Sequence, residues 1–147
     1  MDASLLIRGV VAGVAATGGM VLIELAARSR WGLEALLDWQ QNEAVAAKIT
    51  KRPPEAAAVP GLALHVLHGL LLGLVFVLIL PLVPPELPLP IAGLGYGLVL
   101  FALTIAVHKP IMGRVAASGR HGSAAIAVAL LTHLVYGSLL AVLLVWP

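Results

Sequence analysis

The chain has 147 residues, 61% of them hydrophobic and only 11% charged, with a mean hydropathy of +1.03. A soluble domain averages roughly 45–50% apolar and about 25% charged residues, so there is too little polar surface here to clothe a water-soluble globule, and lipid is the expected outer solvent. The formal net charge of +2 is weak and scattered, which argues against nucleic acid as a partner, and the absence of cysteine excludes a disulfide frame and any thiolate metal site.

The N-terminus, Met1-Asp2-Ala3-Ser4, lacks the basic region of a secretory signal, and no small-x-small cleavage site follows the first apolar run. That run is therefore expected to be a mature helix. A bilayer core calls for about 20 apolar residues of helix, and four stretches meet that length: residues 5–27, 61–82, 90–107 and 123–146. Proline, glycine or charge clusters bound each one. Between the first two, Leu33, Leu36, Leu37 and Gln40 share one helical stripe, with Glu34, Asp38 and Glu43 elsewhere around the turn. Residues 32–49 are expected to form a short amphipathic helix at the membrane surface, or a solvated linker helix. Lys51-Arg52-Pro53-Pro54 should end it, since neither proline can extend a helix.

Orientation follows from the basic residues. The first connection carries Arg28, Arg30, Lys48, Lys51 and Arg52, and the third carries Lys109, Arg114 and Arg120. The second carries none. Both basic connections are therefore expected on the cytoplasmic side of the cell's inner membrane, with both termini outside. Trp31 and Trp39 near the inner surface, and Trp146 at the outer end, suit interfacial aromatics.

The second and fourth spans resemble each other. His65-x-x-His68-Gly69, with Gly73 four residues on, parallels His133-x-x-Tyr136-Gly137 with Ala141. Ala12-Gly13 and Ala92-Gly93 give a weaker likeness between the first and third spans. The pattern predicts two tandem two-helix units related by a pseudo-twofold axis along the membrane normal. Small residues one turn apart let helix backbones approach closely in lipid. Gly9, Gly13 and Thr17, Gly69 and Gly73, Gly93 and Gly97, and Gly137 and Ala141 form such stripes. His65 and His133 each lie on their own helix's stripe, so both should point into the bundle, and the second and fourth spans should form its central seam.

An ionisable side chain at membrane depth is costly and marks a functional candidate. Glu24, His65, His68 and His133 qualify, with Thr132 and Tyr136 as polar company and His108 at the boundary. At about 1.5 Å rise per residue, Glu24 lies roughly 6 Å from the inner end of its span, His65 and His68 about 6–10 Å, and His133 about 15 Å. Three readings stay open. His65, His68 and His133 could hold haem by imidazole ligation, or a transition metal with Glu24 as an added carboxylate. The same groups could relay protons or line an ion path. Or the histidines and Tyr136 are interhelical hydrogen-bond glue in a structural or accessory subunit, which could pair with other membrane subunits or with a second copy. No P-loop, nucleophile elbow or His-Glu-x-x-His zinc motif is present. Gly93-Leu94-Gly95-Tyr96-Gly97 superficially matches a dinucleotide loop, but no strand precedes it and close helix packing accounts for it better.

Four features, in order, carry a resemblance to small prokaryotic membrane proteins of the YagU-like DUF1440 group and the related DUF6789 group. They are a Gly/Ala-rich first span with Glu24 near its end, a Lys-Arg-Pro-Pro-Glu segment leading into His65 and His68, a third span closing on His108-Lys109-Pro110, and His133-Leu134-Val135-Tyr136-Gly137. The third connection is shorter than in the longer YagU-like members. The resemblance implies a four-span fold and brings no activity or cofactor with it. The expectation is thus an all-α, polytopic four-helix bundle forming a single domain over residues 1–147.

Overall fold

The computed structural model describes residues 2–32, 38–53, 56–108 and 122–145. Among them the chain forms α1 (Ala3–Trp31), α2 (Asp38–Thr50), α3 (Ala58–Ile79, closed by a 3₁₀ turn at Leu80–Leu82), α4 (Leu89–Leu103, running on as a π turn over Thr104–His108) and α5 (Gly122–Val145), with no strand. Four of these helical stretches are long and apolar enough to cross a membrane: Ala3–Trp31, Ala58–Leu82, Leu89–Ala106 and Ser123–Val145. The protein is an all-α multi-pass membrane bundle.

Its polarity runs opposite to that of a soluble bundle. Lipid-facing positions carry large aliphatics, such as Val11 at 61% and Leu22 at 71% exposure, while Ala12, Ala16 and Thr17 are buried. Water would not tolerate that exterior. In hydrocarbon, burial of apolar groups gives no gain, so close packing and polar bonds decide what goes inside.

The first span is longer than predicted because both of its ends are capped. The Ser4 backbone N–H donates to Asp2 Oδ1 at 3.1 Å. At the other end Gly32 adopts a left-handed φ of 62°, and its N–H closes on the Arg28 carbonyl at 2.9 Å. Glycine takes that conformation without a steric penalty.

The glycine stripes act as expected. A Cβ on Gly73 would stand 2.3 Å from the Gly9 carbonyl oxygen, and one on Gly137 would stand 2.0 Å from that of Gly93. Each pair, α1 with α3 and α4 with α5, therefore meets backbone to backbone. Gly93 and Gly97 face α5, while Gly95 points into open space, so the Gly-x-Gly-x-Gly run is a packing surface.

The predicted central seam is corrected. The backbones of the second and fourth spans, α3 and α5, make little contact, although the Tyr136 hydroxyl reaches the Gly69 carbonyl, and it is α1 that lies along α5. The reason is that each glycine face has one taker: α1 covers that of α3, and α4 covers that of α5. Ala12, Ala16 and Met20 of α1 are left to pack with Tyr136, Leu140 and Leu144 of α5 in one core.

Of the helix expected over residues 32–49, the described part is α2, Asp38–Thr50, and Gly32 closes α1; Leu33, Leu36 and Leu37 lie outside the described residues. The buried face of α2 is polar, with Asp38, Gln41 and Asn42 followed by Ala46 and Ala47. Within the described residues, α2 turns a polar face onto the bundle. It docks closely because Gly61 of α3 leaves room: a Cβ there would meet the Glu43 backbone at 2.5 Å. The helix stops at Thr50, with Lys51 in a left-handed turn (φ 54°) ahead of Pro53.

Candidate functional site

Where α2 crosses the bundle, the polar residues of four helices converge. Glu24, about two turns from the end of α1, is 1% exposed, and its Oε1 accepts the Asp38 backbone N–H at 3.0 Å. The Trp39 N–H reaches the same carboxylate. Free N–H groups at a helix start carry a partial positive charge, so Glu24 fastens the first turn of α2 to α1. Arg28, one turn further along α1, sits 5.4 Å above the Trp39 ring and adds a cation–π contact.

With α2 held there, its Asp38 and Asn42 project one turn apart into the bundle. The Asn42 side-chain amide donates one hydrogen to the Asp38 carbonyl at 2.8 Å, and its second faces His65 Nδ1 at 3.2 Å. His65 Nδ1 must then be the acceptor, so the neutral ring carries its proton on Nε2. That Nε2–H is buried and has no partner. Both carboxylate oxygens of Asp38 are buried and without a hydrogen-bond partner too, although Oδ2 lies 3.6 Å from His133 Nδ1. Burial in this apolar setting holds the Asp38 carboxyl well above the ordinary carboxylate range.

His133 is engaged at both nitrogens. Its Nδ1 donates to the Ala129 carbonyl at 2.7 Å, and its Nε2 accepts from the Thr104 hydroxyl at 3.0 Å. Thr104 opens the π turn of α4, in a run with the β-branched Ile105 and Val107. The wider turn is a common feature at functional sites, and here its first residue supplies the hydroxyl that holds His133.

These groups border a cavity of about 410 Å³. Asp38 and Asn42 contribute from α2, His65 and His68 from α3, and His133 and Tyr136 from α5. Leu71 and Leu72 of α3, with Leu100 and Leu103 of α4, form the apolar walls. The cavity lies between α3 and α4, whose backbones make little contact. Tyr96 of α4 spans the gap, donating to the Leu72 carbonyl at 2.8 Å, and Tyr136 reaches α3 from α5, donating to that of Gly69 at 2.6 Å.

The sequence-predicted candidates thus divide. His65 and His133 are buried and point inward, as their stripe positions implied, and His68 is a half-buried part of the cavity wall. Glu24 is given to the start of α2 and does not border the cavity. Thr132 bonds the Ala129 carbonyl of its own helix. The side chain of His108, and Trp146, lie outside the described residues. Among the described residues no group of three or more His, Asp or Glu stands close enough to hold a metal ion. The hydrogen bonds agree with this. A metal takes a lone pair from a neutral imidazole, yet the lone-pair nitrogen of His65 faces Asn42 and that of His133 faces Thr104.

Sequence reasoning missed Asp38, Asn42 and Thr104. The first two sit four apart, which puts them on one helical face and was a usable signal. Thr104, inside an apolar span, offered none. Comparison with known proteins supplies a family and no activity. No curated protein and no solved structure matches the chain. A family model described as a family of unknown function, DUF6789, matches residues 3–146, and the chain belongs to that family.

Proposed function

We propose that this protein is an intramembrane binding protein that holds a small molecule in the cavity between α3 and α4, with His65 and Asp38 as its principal polar contacts. One observation carries the reading. A donor, His65 Nε2–H, and an acceptor, the Asp38 carboxyl, border one cavity, and both are buried without hydrogen-bond partners. Leaving a buried polar group unpaired costs about 1–3 kcal/mol, and unpaired groups that converge on a cavity suit a ligand that pairs them. His68 and Tyr136 would complete the contact surface.

The competing glue reading predicts the opposite outcome in a simple test. If Asp38 binds a ligand, Asp38→Leu removes an unpaired group and raises the melting temperature of the ligand-free protein in detergent. If Asp38 stabilises the bundle, the same change lowers it, and the binding reading falls.

For orientation, the basic residues of the first connection support a cytoplasmic α2 end, with the cavity in the inner half of the bilayer of the cell membrane and both termini outside. The shared glycine-on-glycine pairing of α1 with α3 and α4 with α5 supports reading the halves as tandem repeats. The chain has no cysteine, so single cysteines at Ser4 and Lys48 test the topology directly. In intact cells an impermeant maleimide should label the first and spare the second; the reverse pattern would invert the assignment.

A further inference from the structure

We infer that the ligand is an uncharged amphiphile whose head both accepts and donates a hydrogen bond, as a hydroxyl does, and that it reaches the cavity sideways from the bilayer between α3 and α4. This rests on the binding reading above and specifies its ligand. The head chemistry follows from what faces it. His65 Nε2–H, on a residue 5% exposed, can only donate; Asp38, 7% exposed, has two oxygens that accept no hydrogen bond, Oδ2 standing 3.6 Å from His133 Nδ1. One hydroxyl answers both, taking the His65 hydrogen on its oxygen and giving its own to Asp38.

Charged heads fit worse. No Lys or Arg is among the described residues bordering the cavity. A phosphate or carboxylate would therefore sit against Asp38 with no compensating cation, in a setting where an unpaired charge is very costly. A cationic head would suit Asp38 but would turn a second donor toward the His65 N–H. Burial raises the titration of Asp38, which lessens its demand for a counter-ion and suits a neutral partner.

The access route follows from the walls. Leu71 and Leu103 border the cavity, yet they are 45% and 51% exposed on the lipid-facing surface. The apolar wall thus runs from the polar end, where Asp38 and Asn42 of α2 stand, to the hydrocarbon. An acyl or prenyl tail can leave through that gap without crossing polar surface. At about 410 Å³ the space falls within the roughly 300–1,000 Å³ of small-molecule pockets. The same head chemistry occurs on acylglycerols and on prenylated quinols, and the test separates them.

Native mass spectrometry of the detergent-solubilised full chain would be run with monoolein, decylubiquinol, oleate, tetraphenylphosphonium or zinc chloride added singly. One neutral probe should bind at one molecule per chain, and which of the two binds names the source. Binding should weaken about tenfold or more in Asp38→Leu, as expected for one lost buried hydrogen bond. It should weaken similarly in Leu103→Trp, which fills the gap at a lipid-facing position and leaves the packed core untouched. Saturable, Leu103→Trp-sensitive binding of oleate or tetraphenylphosphonium in place of the neutral probes would overturn the head chemistry while the cavity remains a binding site. Zinc alone binding would overturn it in favour of a metal site. Neutral-probe binding unaffected by Leu103→Trp would overturn the lateral route. Should none of the five bind, the inference and the binding reading fall together.

Discussion

The α1–α3 contact and the α3–α4 gap lie on two sides of the same helix and are built on opposite terms. On one side Gly69 and Gly73 admit the α1 backbone so closely that no Cβ would fit. On the other, Leu71, Leu72, Leu100 and Leu103 line the gap, and the Tyr96 hydroxyl bridges it to the Leu72 carbonyl. All these leucines are more hydrophobic than glycine, yet they mark the loose side. In lipid, then, the size of the interfacial residue decides how near two helices come, and hydrophobicity decides very little.

Breaking the tight side should have the largest effect. Gly137→Leu would drive a side chain into the Gly93 backbone; since backbone cannot swing aside, destabilisation should reach the upper end of overpacking costs, about 3 kcal/mol or more. Thermal unfolding in detergent, or loss of the monodisperse folded fraction, would register it. A Gly137→Leu protein as stable as the wild type would mean that α4 and α5 do not pack through this stripe.

A middle-sized effect is expected at the junction of α2. Glu24→Ala removes the carboxylate that receives the Asp38 N–H, and losing a capping acceptor costs roughly 0.5–2 kcal/mol. Amide hydrogen exchange should accelerate over the first turn of α2 and stay slow in the middle of α1. Equal protection in both proteins would remove Glu24 from its role as the fastening for α2. The smallest effect belongs to Gly95→Ala. Nothing lies within 4 Å of a Cβ at that position, so stability should shift by less than about 1 kcal/mol, and if anything upward, because alanine is the better helix former. A large loss there would show that the outer face of α4 is covered by something beyond this chain.

Much of the bundle was legible from residue order because two simple periodicities carry it. Apolar length set the four spans, and small residues every fourth position marked the faces that pack. His65 and His133 could be aimed inward for the same reason, each lying one turn from a glycine that needs a neighbour. Pairing was another matter. The likeness of the second and fourth spans suggested that they meet, but each has a single glycine face, and resemblance between two faces does not say which surface covers either one.

The polar site was legible only in part, and the reason is chemical. Glu24 was noticed for its depth, yet depth does not reveal its partner, which is a pair of backbone N–H groups fourteen and fifteen residues along the chain. Asp38 and Asn42 looked like one side of a surface helix until α2 folded inward over the bundle. Taken alone, the sequence determined the solvent, the number of spans and the helix faces that must be small, since each of these follows from composition and local spacing. Which helices pair, which carboxyl caps and which is left unpaired, and the cavity that results, depended on tertiary structure. They are properties of surfaces brought together from distant parts of the chain, where each face can be taken only once.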